Sequence, residues 1–255
     1  MNFLPEKIEN YVVEHSQQEP EILAELSKET WQKVLNPRML SGSYQGRILS
    51  MISKLTKPKY ILDIGTGSGL IALMMQQRYP ESKIIGIEPN INSYHQALDN
   101  FKNTNFKHQP TAYQNTLSNF HPIKKFDIIV SNPPFFKESV SSNNNDRDQA
   151  RQALFLPLDE ILAFATKHLT PSGTLNLVYP TCDLKQIKTT ALKHQLSIRR
   201  LCTVLPNLKK PSKRILIELS LSPTTTESET IVIETSRHQY SNEYRTLTKD
   251  FYLNF

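Results

Sequence analysis

Glycine is scarce in this chain: seven in 255 residues. Three of the seven, Gly65, Gly67 and Gly69, fall within five positions, so backbone freedom is concentrated in one loop. No apolar run approaches the ~20 residues needed to cross a bilayer, which rules out an integral membrane protein and leads us to expect no membrane partner. The first residues, Met1 to Lys7, lack the charged start and apolar block of a secretory signal. Two cysteines, Cys182 and Cys202, cannot by themselves build a disulfide scaffold or a structural zinc site. These absences together lead us to expect a reduced, cytoplasmic protein. What is present is ordinary for a folded chain: 38% hydrophobic and 21% charged residues allow a sizeable core and exclude general disorder. The length fits one large domain, or a core domain with an extension, at roughly 100–200 residues per domain.

Acidic residues are missing from a long stretch. Between Leu184 and Ile217 stand nine basic residues and no acid: Lys185, Lys188, Lys193, Arg199, Arg200, Lys209, Lys210, Lys213 and Arg214. The chain carries +6 overall, and without these nine it would carry −3. A positive field confined to one region suits a surface that meets phosphates. Charge alone does not separate RNA from DNA or from an acidic membrane surface, and a solvated helix face plus a loop would give the same count.

No internal repeat is present. Residues 1–58 read as helical, with apolar positions three to four apart in Glu21–Gln32 and Gln45–Leu55 and a break at Asn36–Arg38 and Ser41–Ser43. The pattern changes at Lys57-Pro58-Lys59. Strand patterns at Tyr60–Ile64, Lys83–Glu88, Phe106–Gln109, Phe126–Ser131 and Thr174–Tyr179 then alternate with helical ones at Leu70–Arg78, Asn92–Phe101, Leu158–His168 and Asp183–His194. Ser197–Leu205 and Arg214–Leu221 follow as consecutive strands. Such alternation predicts an α/β, doubly wound, mostly parallel sheet of Rossmann-like type, with the last strand pair as an antiparallel edge. Residues 1–59 form a helical extension and 60–255 the main domain. Lys137–Gln149, rich in Ser and Asn, reads as a mobile loop, and Ser222–Thr230 as an exposed turn. Loops beyond strand ends at the ligand edge of such sheets often act as lids.

The glycine loop ends the first strand and opens a helix: Asp63-Ile64-Gly65-Thr66-Gly67-Ser68-Gly69-Leu70. Glycines let the backbone turn sharply and approach a ligand. A dinucleotide fingerprint spaces its third glycine one residue later, and Asp63 at the strand end would repel a pyrophosphate. A cationic guest fits better. S-adenosylmethionine carries a sulfonium and an ammonium, has no phosphate, and offers its carboxylate to a helix N-terminus. Glu88 ends the next strand, 19 residues after Gly69, where an acid accepts hydrogen bonds from a ribose diol. Pro89-Asn90 then turns the chain beside the adenine. The cofactor-binding set is therefore Asp63, Gly65, Thr66, Gly67, Gly69, Glu88 and Pro89. Together these residues resemble the class I S-adenosylmethionine-dependent methyltransferases over roughly residues 58–221. In that family an acid after the third strand often meets the cofactor adenine; this chain has Pro110-Thr111-Ala112-Tyr113-Gln114 there, with no acid, so either cofactor affinity is low or Gln114 makes the contact and joins the set.

The fourth strand runs into Asn132-Pro133-Pro134-Phe135-Phe136. Two prolines remove two backbone donors and fix two φ angles, leaving a stiff turn with bare carbonyls. Asn132 Oδ1 and the Pro133 carbonyl can accept both protons of an exocyclic amine, favouring a pyramidal nitrogen whose lone pair points at a methyl carbon. Phe135 offers a face for a planar ring. Transfer is then an in-line displacement driven largely by positioning. This string resembles the motif of amino-group methyltransferases acting on adenine, guanine or glutamine amide, which assigns catalysis to Asn132, Pro133, Pro134 and Phe135. A target base inside a stacked strand must be flipped out.

A narrower resemblance is to the bacterial valine-tRNA adenine-N6 methyltransferases. It is carried by Leu62–Gly65, Leu70–Met74, Phe126–Phe136, Arg147–Arg151 and the tail Tyr240–Leu253, in which Tyr244, Leu247 and Phe251 would dock a terminal helix on the core. It implies methylation of N6 of an adenosine beside the anticodon, with RNA as partner; Phe136, Arg147 and Arg151, and from the basic stretch Lys209, Lys210 and Lys213, are the expected substrate contacts. Arg147 and Arg151 would equally serve i,i+4 pairing with nearby acids. Two departures stand out. The Gly-Thr-Asp-Gly-type stretch usual before the first strand is absent, and Leu35–Arg47 instead resembles bacterial O-methyltransferases related to the catechol and caffeoyl-CoA enzymes. Those bind a divalent metal after the fourth strand, where this chain has Asn132-Pro133-Pro134, so no metal is expected. A guanine-N2 or glutamine-N5 methyltransferase, a small-molecule O-methyltransferase and a non-catalytic RNA- or cofactor-binding module remain as alternatives.

Overall fold

The computed structural model describes residues 57–133, 156–236 and 239–251. The expected helical extension at 1–59, apart from residues 57–59, and the expected loop at 137–149 lie outside them.

Among the described residues, five strands are laid down in turn: β1 (Tyr60–Ile64), β2 (Lys83–Ile87), β3 (Thr111–Tyr113), β4 (Phe126–Ser131) and β5 (Leu169–Pro180). They are followed by β6 (Ser197–Asn207), β7 (Arg214–Ser220), β8 (Glu227–Ser236) and β9 (Gln239–Tyr240). All join one sheet in the order β3-β2-β1-β4-β5-β7-β6-β8-β9. The first five are parallel neighbours; β7 runs antiparallel to both β5 and β6. The expected strand pair is therefore interior. β8 continues the sheet parallel to β6, and the edge is the short antiparallel β9.

Alternation along the strands divides the core in two. On one face, Ile61, Ile84, Ile128, Val130, Val178, Val204 and Leu216 pack with α1 (Leu70–Arg78), α2 (Ile91–Lys102) and the tail residue Phe251. On the other, Leu62, Ile64, Ile129, Leu175, Leu177, Ile215 and Ile217 pack with α3 (Leu158–His168) and α4 (Leu184–Lys193). Helices on both faces explain why the central strands are buried along nearly their whole length. Within the described residues, no helix is long and apolar enough to cross a membrane.

Two expected elements move. The third strand is Thr111–Tyr113, not Phe106–Gln109: Phe106 packs on the core from the preceding loop. The exposed turn near 222–230 is shorter, because β8 already starts at Glu227. The tail forms α5 (Asn242–Thr248), capped by Ser241 Oγ, which accepts the Tyr244 N–H at 3.0 Å. Tyr244 and Phe251 are buried and Leu247 packs beside them. Gln77 Nε2 donates to the Asp250 carbonyl at 2.9 Å, and Arg78 pairs with Asp250 at 3.4 Å, so the tail grips α1. Phe251→Ala should cost about 3 kcal/mol through the cavity it leaves, read as a lower denaturation midpoint with an unchanged denaturant slope.

Candidate active site

Strand register builds the site. In the parallel β1–β4 pair Ile64 lies opposite Ser131, and Ser131 Oγ donates to the Ile64 carbonyl at 2.9 Å in the buried interior. The next residues, Gly65 and Asn132, therefore leave adjacent strand ends about 4.8 Å apart in the sheet. The glycine loop and the Asn-Pro turn begin side by side at the carboxyl edge. Asn132 is half-buried and Pro133 buried; Pro134, Phe135, Phe136, Arg147 and Arg151 lie outside the described residues.

Positive φ shapes the loop: +70° at Gly65, +57° at Gly67 and +86° at Gly69. A Cβ at Gly65 or Gly67 would meet nothing within 4 Å, whereas one at Gly69 would come 2.4 Å from the Phe101 ring. The first two glycines thus face open space, and the third seats the loop on α2. Gly69 also begins α1 with no side-chain cap on its N–H groups, which leaves donors for a carboxylate. Backbone bonds from Gly65 and Thr66 N–H to the Ile87 carbonyl, at 2.9 and 3.0 Å, tie the loop to β2. Asn100 Nδ2 donates to the Ser68 carbonyl at 2.8 Å from α2, a clamp that sequence reasoning missed because an Asn inside an amphipathic helix carries no signal.

Asp63 sits beneath this loop with no exposed surface. Its Oδ2 accepts the Thr66 hydroxyl at 2.6 Å, while Oδ1 is buried with no hydrogen-bonding partner among the described residues. The Ala72 backbone amide also favours its charged form. Thr66 can fold back over β2 because Gly86 is opposite: a Cβ there would meet the Thr66 methyl at 2.8 Å. Burial pushes the Asp63 carboxyl up from its ordinary 3.8 to about 7; the Thr66 hydroxyl opposes the rise and Glu88 adds to it.

Glu88, also buried, accepts the Gly67 N–H on Oε2 and the Asn90 N–H on Oε1, both at 2.9 Å. A carboxylate takes about four hydrogen bonds, so each oxygen keeps a lone pair for a diol. Asn90 caps α2, its Oδ1 accepting from Asn92 and Ser93 N–H at 3.0 Å. Pro89 and Gln114 are exposed. Two further side chains stand on the same edge: Ile91, which opens α2, and Tyr113, which ends β3, are 42% and 51% exposed, apolar surface suited to a planar ring. Glu88 N–H donates to the Tyr113 carbonyl at 3.1 Å.

The basic stretch is split by the fold. Lys193 pairs with Asp159 at 2.6 Å, Arg199 with Glu218 at 3.4 Å and Arg200 with Glu229 at 3.1 Å; these three partners come from elsewhere in the chain and offset their charge. Lys209, Lys210 and Lys213 instead stand exposed on the β6–β7 hairpin. That hairpin is pinned to the end of β5 by Thr181 N–H to the Lys213 carbonyl, 3.2 Å, and by the Thr181–Ser212 hydroxyl pair, 2.8 Å. β5 runs three residues past Leu177, the partner of Ser131, so the lysines rise about 10 Å above the level of Asn132 on the same edge. Among the described residues no group of three His, Cys, Asp or Glu could hold a metal ion.

A family model for the methyltransferase small domain matches residues 47–197. The chain belongs to this methyltransferase family. It is 36% identical over 77% of its length to the tRNA1(Val) (adenine(37)-N6)-methyltransferase of Christiangramia forsetii, covering 83% of that protein. It is 34% identical over 82% of its length to the enzyme of that name from Actinobacillus pleuropneumoniae serotype 7, covering 89% of it. In three dimensions it is similar to a predicted O-methyltransferase from Agrobacterium tumefaciens, with a TM-score of 0.62 and 12% identity over 81% of this chain and 96% of that one. A second fold neighbour, a putative class I S-adenosylmethionine-dependent methyltransferase from Listeria monocytogenes, has a TM-score of 0.58 and 15% identity over 83% of this chain and 72% of that one.

The raised Asp63 carboxyl has a consequence for the methyltransferase's stability. The folded state holds a proton that the unfolded state has lost above pH 3.8, so this group's contribution is complete at acid pH and declines as pH rises to about 7. The stability of wild type relative to Asp63→Asn should therefore fall across that window and level off above it, as read from urea midpoints at successive pH values.

Proposed function

We propose that this methyltransferase transfers the methyl group of S-adenosylmethionine to the exocyclic N6 of an adenosine in tRNA, beside the anticodon of a valine tRNA, in the cytoplasm. The observation that carries the reading is the Ile64–Ser131 register, which sets an Asn-Pro turn next to a glycine loop with two acids below it. The names of relatives sharing a third of their residues favour adenine in tRNA over guanine or a glutamine amide.

The residues present fit the cofactor. Open space at Gly65 and Gly67, the uncapped start of α1 and the unpartnered Asp63 Oδ1 suit a ligand with a cationic centre and a carboxylate. Glu88 would hold the ribose hydroxyls, and Pro89, Ile91, Tyr113 and Gln114 the adenine. When bound, the cofactor supplies a methyl group on an electrophilic sulfonium. The protein's share of the chemistry is orientation. Asn132 Oδ1 and the Pro133 carbonyl accept the two protons of the target amine, draw its lone pair out of conjugation with the ring and aim it along the line of displacement. The methylated nitrogen is acidic enough to lose its extra proton to water, so no side-chain base is required. Phe135 and Phe136 would stack the flipped base, with Arg147 and Arg151 on flanking phosphates. Lys209, Lys210 and Lys213 would hold the RNA backbone from the hairpin above.

Labelled-methyl transfer to bulk tRNA followed by nucleoside analysis tests this directly. N6-methyladenosine is expected; label in N2-methylguanosine, in protein or in a catechol without tRNA would replace the reading. Asn132→Ala should lower turnover at least a hundredfold while leaving cofactor affinity within about twofold, because its partner is the target amine. Equal loss of cofactor binding would show that Asn132 serves the cofactor instead. Reversing the charge of Lys209, Lys210 and Lys213 together should weaken tRNA binding at least tenfold and flatten its dependence on salt; an unaltered salt slope would remove the hairpin from the interface.

A further inference from the structure

We propose that Asp63 exchanges a proton for the positive charge of the methyl donor: its carboxyl is neutral while the loop holds no cation and ionises, passing its proton to solvent, when the sulfonium arrives. The proposal deepens the reading above and rests on S-adenosylmethionine being the guest.

Geometry supplies the argument. Two carboxyl groups lie under one loop, Asp63 at the end of β1 and Glu88 just beyond β2. Glu88 accepts two backbone hydrogen bonds, from the Gly67 and Asn90 N–H groups. Asp63 has one side-chain donor, the Thr66 hydroxyl, and its other oxygen is buried with no hydrogen-bonding partner among the described residues. Among the described residues, the surrounding elements bring it no cation. From β4 its neighbours are Val130 and Ser131, from α2 Asn100 reaches the loop, and from α1 the Ala72 amide is near. Among the described residues, Glu88 is the charged group that acts on it, and it repels. An isolated buried carboxylate beside another carboxylate takes up a proton. A cation entering the loop reverses that balance: the O–H bond of Asp63 breaks, the proton passes to buffer, and a carboxylate remains to face the positive ligand.

The exchange also distinguishes donor from product. Both carry an ammonium and a carboxylate, but the product has a neutral thioether where the donor has a sulfonium. The donor must displace the Asp63 proton at low pH and finds the carboxylate already formed at high pH. Its affinity relative to S-adenosylhomocysteine should therefore rise severalfold from pH 6 to pH 8.

Calorimetric titration of the full chain with S-adenosylmethionine at pH 6.5, in phosphate and in imidazole buffer, reads proton release without catalysis. At that pH the ligand's own amine, with a pKa of about 7.7–8.0, stays protonated. We expect a buffer-dependent heat equivalent to release of about half a proton or more, a smaller release with S-adenosylhomocysteine, and none with Asp63→Asn. Thr66→Val, which removes the hydroxyl that favours the carboxylate, should move the midpoint of release to higher pH. Equal heats in the two buffers, release that persists in Asp63→Asn, or a midpoint unmoved by Thr66→Val would each overturn the proposal. Absence of any donor binding by wild type would overturn the cofactor assignment with it.

Discussion

The hydrogen bond from Ser131 to the Ile64 carbonyl is a small interaction with a large consequence. Parallel strands can slide in register, and a slip of one residue would turn Asp63 from the α1 face to the α3 face. It would also leave Asn132 a residue out of step with Gly65. A buried hydroxyl donating to the last carbonyl of β1 fixes both. Everything chemical in the site then follows from what the two strands do after they end: one enters glycines with positive φ, the other enters prolines with none of the usual backbone donors.

Much of this was legible in the sequence. Asp63, the three glycines, Glu88 and Asn132 each follow an apolar run dense enough to be read as a buried strand, and covered parallel strands have that composition. Legibility failed where a strand is short or polar. β3 is three residues long with Ala112 alone buried, so it leaves no apolar signature, while the nearby Phe106 supplies one from a loop. β8 was taken in part for a turn because its first four residues are polar and exposed. It is a strand because β6 presents unpaired backbone groups that must be met, and polar side chains near a sheet edge discourage further pairing.

Charge was legible as a total and misleading as a place. Adjacent basic residues in the sequence belong to opposite ends of β6: Arg199 and Arg200 near its start face Glu218 and Glu229, while Lys209 and Lys210 lie beyond its end at the ligand edge. Acids that offset the first group sit on β7 and β8, beyond the window in which they would be counted. The part of the positive field left without these acid partners is therefore narrower than the composition implies.

The tail bears on the site through α1. That helix starts at the glycine loop, where Phe101 fills the space a Cβ on Gly69 would need, and ends at Gln77 and Arg78, which hold Asp250. Its first turn is set by α2 and its last by the tail, with Phe251 in the same core as Ile71 and Met75. A helix held at both ends keeps its uncapped N–H groups aimed at one point, and preorganised donors are worth more to a bound carboxylate than mobile ones because no ordering cost is left to be met on binding. The C-terminal segment thus bears on the proposed cofactor site through the mechanics of α1 instead of through contact.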